Sequence, residues 1–184
     1  MSTIGVRDID RGWKEIVKLF KVKDAYVLVG LHSDAEPYER GQGEPANVAQ
    51  VGSFHEFGTS KMEARPFLRP TFEANVEKYK AMQLRIWRLL IDRKINLRRG
   101  LGILGQQASA DVKLTIRALT TPPLKESTVK AKMRKAAYMG QEGVEAYGAS
   151  GANPLIDTGH MLQSVTYATV INGQTVDHPS KVGG

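Results

Sequence analysis

The stretch FHEFGTSKMEARPFLRP, residues 54–70, holds the side chains of this sequence that are best suited to chemistry. A histidine followed directly by a glutamate is half of the H-E-x-x-H zinc motif, in which a second histidine one helical turn later completes the ligand pair. Position 59 is a threonine, and the other histidines, His32, His160 and His178, are scattered along the chain. The sequence therefore predicts no metal site here.

Two further patterns match the residue types of known functional sites but lack the structural setting that those sites require. Residues 100–105 read G-x-G-x-x-G, but a dinucleotide-binding loop follows a strand, and a helical pattern precedes this one. Asp157, His160 and Ser164 are close neighbours in the sequence, whereas a catalytic triad converges from separate segments. The chain has no cysteine, which excludes thiolate catalysis and cysteine-ligated metal centres. We expect neither enzymatic activity nor a cofactor.

The positive charge of the chain is local. The formal net charge is +7, and the segment from Lys61 to Arg99 holds eleven basic and four acidic residues, an excess equal to the whole net charge. Such a stripe can contact phosphates, an acidic protein surface or only solvent. The candidate DNA-facing or partner-facing bases are Arg85, Arg88, Arg93, Lys94, Arg98 and Arg99.

Hydrophobic periodicity predicts an α+β fold with a long central helix. Apolar residues at spacings of three and four indicate helices, and short β-branched runs indicate strands. The central pattern fits one long helix or two helices in line, and we expect a break at Gly100–Gly105 because a glycine costs about 1 kcal/mol inside a helix. The predicted helices cover 7–20, 46–58, 70–119, 125–139 and 160–164, and the predicted strands cover 25–32 and 164–171.

We expect a single domain, 1–184, with the shorter helices packed on a small β-sheet. A chain of 184 residues with 41% hydrophobic content can bury one core. Turn-forming residues predict flexible loops at about 33–46 and 139–153 and a flexible C-terminal tail at 172–184. No apolar run approaches the roughly 18 residues that span a bilayer, and the N-terminus lacks a signal pattern. Cytosolic synthesis without a membrane partner is expected.

The residues of the opening stretch also suit a structural role. Phe54 and Phe57 are expected to pack a short helix against the core, and the glycine and prolines that follow would turn the chain into the next helix. We expect Glu56 to pair with a nearby base, Arg65 or Arg69. This interpretation makes the stretch part of the scaffold.

The succession HEFGT, then ARPFLRPTFE, then PLIDTGHMLQSV resembles the neck and tail-completion proteins of tailed bacteriophages, which include the Mu-type virion morphogenesis proteins and related tail components. The resemblance covers residues about 47–74 and 121–170, and LKESTVKAK resembles the segment that often precedes the last block. It implies a non-enzymatic virion protein that completes the tail or joins head to tail, as a ring. The alternative is a nucleic-acid-binding accessory protein that uses the basic stretch 61–99.

The resemblance implies roles for parts of the chain. Its partners would be head-closure, tail-terminator or tail-tube rings, its own copies in a homo-oligomer such as a hexamer, and channel DNA through non-specific contacts. The protein would be made in the bacterial cytoplasm and reside in the virion neck or tail. The residues expected to fix the fold around the long helix and the second strand are Glu56, Phe57, Gly58, Arg65, Pro66, Phe67, Pro70, Leu155, Asp157, Thr158 and Gly159.

Overall fold

The computed structural model describes residues 12–32, 47–139, 153–155 and 159–177. The predicted loop 33–46, most of the predicted loop 139–153, and the pair Asp157 and Thr158 lie outside the described residues. The described residues form the helices α1 (Trp13–Phe20), α2 (Val48–Phe57), α3 (Leu68–Ile91), α4 (Leu97–Ala118), α5 (Glu126–Met139) and α6 (His160–Ser164), and the strands β1 (Ala25–Leu31), β2 (Val165–Ile171) and β3 (Gln174–Asp177).

The architecture confirms the predicted α+β class. Strands β1, β2 and β3 form one antiparallel sheet in that order, with Ala25 opposite Ile171 and Leu31 opposite Val165. Helix α4 packs on the face of β1 and β2, and α3 packs on α4. The sheet therefore supports a helical layer two helices deep.

Helices α3 and α4 form an antiparallel hairpin, since Thr71 bonds to Thr115 near one end and Lys78 bonds to Asp111 further along. The predicted break at Gly100–Gly105 is wrong. The chain turns at residues 92–96 instead, where Arg93 takes a left-handed conformation with φ of 57° and the side chain of Asn96 caps α4 by accepting from the amide of Arg99 at 2.8 Å.

The glycines of α4 serve its packing. A side chain at Gly105 would overlap the ring of Tyr167 on β2 and would lie 2.9 Å from Val27 on β1, and one at Gly100 would lie 2.7 Å from Ile86 on α3. Glycine at these buried positions lets α4 approach both neighbours closely. The gain in packing offsets the helix-propensity cost that the sequence pattern predicted as a break.

The C-terminal segment contains a strand that the sequence analysis placed in a flexible tail. Asn172 and Gly173 form a two-residue turn with φ of 50° and 73°, which connects β2 to β3. The tail prediction is therefore wrong for Gln174–Asp177, while residues 178–184 lie outside the described part. An Asn-Gly pair between β-branched runs is a strong hairpin signal, and it was available in the sequence.

The hydrophobic core lies where α2, α4, α6 and β2 meet. Phe67, immediately before α3, is completely buried there. The other buried members of this cluster are Val48, Val112, Ile116, Leu155, Met161 and Val165.

Candidate functional site

Glu56 lies on the inner face of α2, one turn beyond the buried Gly52, and its side chain is buried. Its Oε2 accepts hydrogen bonds from the amides of Phe67 at 2.7 Å and Leu68 at 2.9 Å, and its Oε1 accepts from the amide of Arg69 at 3.0 Å. These amides open α3, whose own N-cap residue supplies no side-chain bond. A carboxylate at this position also interacts favourably with the helix dipole.

The predicted pairing of Glu56 with Arg65 or Arg69 is wrong. The carboxylate bonds to backbone amides, and the amide of Arg69 is one of its donors. Its two oxygens are occupied by these bonds, so Glu56 is poorly placed to act as a base or to ligate a metal. The arrangement makes it a helix cap supplied by a different helix.

The turn after α2 brings the two halves of the 54–70 stretch together. Gly58 ends α2 with φ of 75°, and a side chain there would lie 2.9 Å from the backbone nitrogen of Ala64. Thr59 and Met62 form an isolated β-bridge, and the amide of Arg65 donates to the carbonyl of His55 at 2.7 Å. Glycine is required at position 58 by both its conformation and its close neighbour.

Basic side chains surround His55. Arg65 donates from Nε to the carbonyl of Pro122 at 3.2 Å, and the buried Lys132 of α5 donates to the carbonyl of Asn153 at 2.9 Å. Burial lowers the pKa of His55 below 6.5, and the positive charges of Arg65 and Lys132 lower it further. Since its Nδ1 is buried without a partner, protonating the ring has a cost. These surroundings favour the neutral form of His55.

Asn153 was placed in a flexible loop by the sequence analysis, and the structure gives it a defined role. Its Nδ2 donates to the carbonyls of Ile116 at 2.8 Å and Arg117 at 2.9 Å, and its Oδ1 accepts from the amide of Leu155 at 2.9 Å. Asn153 therefore caps the C-terminus of α4 and positions the buried Leu155. The Asn-Pro dipeptide at 153–154 was the signal available in the sequence.

A second buried polar group lies between α3 and α4. Asp111 accepts from Lys78 at 2.7 Å, from Tyr79 at 3.0 Å and from Gln107 at 3.0 Å. Burial alone would raise the pKa of Asp111, but the hydrogen bonds from Lys78, Tyr79 and Gln107 outweigh it, so the pKa lies below its usual value. This carboxylate joins the two long helices, and the sequence analysis did not identify it.

The aromatic residues of α2 do not fill the predicted role. Phe57 is 72% exposed and Phe54 is 51% exposed, so the prediction that they pack the helix against the core is wrong. The buried face of α2 consists of Val48, Gly52 and Glu56, which are spaced four residues apart. Phe57 instead borders an open groove of about 300 Å³.

The block PLIDTGHMLQSV, residues 154–165, is described only in part. The N-cap of α6 is Gly159, in a left-handed conformation with φ of 76° and without a side-chain cap bond. Asp157 and Thr158, which were expected to help fix this segment, lie outside the described residues. His160 and Ser164 are joined by a bond from the Ser164 hydroxyl to the His160 carbonyl, so this serine is engaged by the helix backbone.

The predicted basic stripe is divided by the structure. Arg85 and Arg88 are exposed on α3, Arg93 and Lys94 lie in the turn, and Arg98 and Arg99 begin α4. Four bases of the 61–99 stretch are ion-paired within the chain: Lys78 with Asp111, Lys80 with Glu77, Lys94 with Asp92 and Arg98 with Asp177.

The part of the chain that the structure describes contains no group of three or more histidine and acidic side chains that could hold a metal ion. None of the helices described there combines the length and apolarity needed to cross a bilayer. Comparisons with protein-family models, curated proteins and solved structures found no match. The geometry of the site is that of a set of helix caps with large apolar side chains outside them.

Proposed function

We propose that this protein is a structural component of a tailed-bacteriophage virion that completes the tail or joins head to tail at the neck, as a ring. The observation that carries the proposal is the number of large apolar side chains that the single chain leaves exposed. Exposed apolar surface of this kind is typical of proteins that are buried in an assembly. Among the described residues, the most exposed are Trp13, Phe20, Phe57, Leu84 and Tyr138, between 63% and 94% accessible.

The role of the 54–70 stretch supports the same proposal. Burial favours the neutral form of its histidine, and its glutamate caps a helix, so these polar side chains suit a structural role. Phe57, in the middle of the stretch, points outward beside a groove that Leu31 and Leu68 also line. An exposed phenylalanine adds little to the stability of a monomer, whereas a partner that covers it gains apolar contact.

The internal ion pairs of the basic stretch favour a protein partner over a DNA-binding role. Binding to phosphates requires basic side chains that are available to replace counterions. Four of the eleven bases in this stretch are already paired with carboxylates of the same chain. The count of eleven bases thus overstates the capacity for DNA contacts.

The test is to delete the gene in the phage that encodes it and to analyse the particles. Deletion is expected to yield separate heads and tails or unfinished tails, and mass spectrometry of purified wild-type virions is expected to detect the protein at several copies per particle. A reconstruction of the neck is expected to show a ring, sixfold by analogy with tail symmetry. Virions that lack the protein, or intact infectious particles after deletion, would overturn the proposal.

A matched pair of variants tests the exposed surface. Phe57→Ser is expected to leave the fold intact and to lower the yield of joined particles when it complements the deletion. Glu126→Gln, which changes an exposed side chain of α5, is the control and is expected to complement fully. Normal yield from Phe57→Ser would remove α2 from the proposed contact surface.

A further inference from the structure

The outward face of α3 carries acids in its first half and bases in its second half. The helix packs on α4 through residues such as Ile86 and Leu90, which are buried. On the opposite side, at spacings of four, seven, four and three residues, lie Glu73, Glu77, Leu84, Arg88 and Ile91, all exposed. One face of one helix thus presents two carboxylates, an apolar residue, a guanidinium group and a second apolar residue.

We infer that this face pairs with the same face of a second copy of the chain, with the two α3 helices antiparallel about a twofold axis between Lys80 and Ala81. Glu73 and Arg88 are equidistant from that midpoint, about 11 Å on either side at a rise of 1.5 Å per residue. In the antiparallel pair, Glu73 of each copy therefore faces Arg88 of the other. The contact is self-complementary, as an isologous interface requires.

The inner positions fit the same arrangement. Glu77 lies about 5 Å before the midpoint and Arg85 about 7 Å after it, so the Arg85 guanidinium of one copy is within reach of the Glu77 carboxylate of the other. Ala81 is exposed and adjoins the twofold axis. Its small side chain allows the axes of the two helices to approach to about 8–10 Å, the usual separation of packed helices.

Apolar contact would add to the ion pairs. Leu84 is 63%, Trp87 46% and Ile91 52% exposed in the single chain. A tryptophan beside arginines is a combination that protein interfaces favour. In the antiparallel pair, Leu84, Trp87 and Ile91 of each copy lie opposite Glu77, Ala74 and Pro70 of the other, so the partner helix would cover them.

Lys80 is the one residue whose charge opposes the contact, because the two copies of Lys80 approach each other near the axis. Each is neutralised within its own helix, where Nζ lies 2.7 Å from Oε1 of Glu77. The repulsion is thereby reduced, and the two outer Glu73–Arg88 pairs remain unopposed.

The helix dipole stabilises Arg88, which lies in the last turn of α3, but it does not account for the acidic half of the pattern. Acids near a helix N-terminus and bases near its C-terminus complement the helix dipole, but the effect falls off beyond the first and last turn. Glu73 and Glu77 follow the first turn of α3, which begins at Leu68. Arg85 and Arg88 form no ion pair within the residues that the structure describes, so they are available to a partner.

The experiment is a charge-reversal cycle on the purified full chain, measured by sedimentation equilibrium. The wild type is expected to dimerise at low salt, and Glu73→Arg or Arg88→Glu alone is expected to raise the dimer dissociation constant by about tenfold, since each reversal breaks two symmetry-related pairs. The double variant Glu73→Arg/Arg88→Glu is expected to restore dimerisation. Lys130→Glu on α5 is the matched control and is expected to change nothing.

A covalent test is independent of the charges. Because the chain has no cysteine, a single Ala81→Cys variant reports only its own contact and is expected to form a disulfide-linked dimer under mild oxidation. Ala118→Cys, exposed at the end of α4, is the control. Failure of the double charge reversal to restore dimers, or equal crosslinking of the two cysteine variants, would overturn the inference.

The inference stands apart from the proposed function. A twofold contact pairs two copies and does not close a ring, so the ring of the proposed neck role requires a different surface. A monomeric wild type at about 100 µM, where dimers of micromolar affinity would be populated, would refute the α3 pairing and leave the virion experiments unaffected. Absence from virions would refute the neck role and leave the dimer intact.

Discussion

Glu56, in the last turn of α2, lies 2.7 Å from the amide nitrogen of Phe67, which immediately precedes α3. The two residues are separated by a β-bridged turn, yet the side chain of the first completes the helix that follows the second. This one contact joins α2, the turn and α3 into a unit, and it places Phe67 in the core.

Replacing Glu56 tests the strength of this cap. Glu56→Ala leaves three buried or partly buried amides without their acceptor, and we expect it to lower the free energy of unfolding by about 3 kcal/mol. Glu56→Gln keeps one acceptor oxygen and is expected to lose less. Urea denaturation measures both. A loss within error of that for the exposed Glu126→Gln would show that solvent replaces the cap.

The burial of Phe67 predicts a large truncation effect. Because the side chain is completely buried, Phe67→Ala is expected to lower the free energy of unfolding by about 3–5 kcal/mol and to reduce soluble expression. Phe57→Ala, ten residues earlier and 72% exposed, is the matched control, with an expected change below about 0.5 kcal/mol. Equal effects on thermal unfolding would place the two rings in similar surroundings and contradict the structure.

The environment of His55 makes stability depend on pH. Its pKa in the folded protein lies below 6.5, the value of the unfolded chain, so the unfolded state binds more protons as the pH falls through 6.5 and stability decreases. The decrease stops once the pH is below the folded pKa. Melting temperatures between about pH 7.5 and 5.5 are expected to fall more for the wild type than for His55→Gln.

Asp111 does not interfere with that comparison. Its pKa is lowered in the folded state, so its contribution to stability is present above the pKa of an unfolded aspartate, about 3.9, and is lost only as the pH falls below it. Identical pH profiles for the wild type and His55→Gln would show that His55 is solvated.

Asn153 offers a test of the α4 cap. Asn153→Ala removes the donor to the carbonyls of Ile116 and Arg117 and the acceptor for Leu155. We expect the free energy of unfolding to fall by about 1–2 kcal/mol and amide hydrogens near the end of α4 to exchange faster. Unchanged exchange at the C-terminus of α4 would contradict the cap.

Local patterns of the sequence predicted most elements of the fold, because helices and strands are encoded by neighbours in the chain. The pattern at 125–139 predicted α5 almost to the residue, and Gly58 was correctly predicted to end α2. The errors arose where tertiary contacts decide the outcome. The glycines of α4 weaken an isolated helix, but they are retained because Tyr167 and Ile86 lie against them.

In the candidate site, too, local sequence identified some residues, while tertiary contacts decided their partners. The sequence identified Glu56 as a residue of interest, but charge alone suggested an arginine partner. The groups that Glu56 binds are backbone amides, which every residue except proline has, so no residue type in the sequence marks them. Asn153 was missed because its partners, the carbonyls of Ile116 and Arg117, are more than thirty residues earlier in the chain. Such pairings become visible only once the helices are packed.

The antiparallel pairing of β1 with β2 has a consequence during protein synthesis. Ala25 pairs with Ile171, so the ribosome must translate well over one hundred further residues before β1 meets its partner strand. At about 5–20 residues per second, β1 waits several seconds with its apolar Val27 and Val29 uncovered by the sheet. Helix α2 and the α3–α4 hairpin are complete much earlier, and α4 offers β1 an apolar surface on the side that carries Gly105.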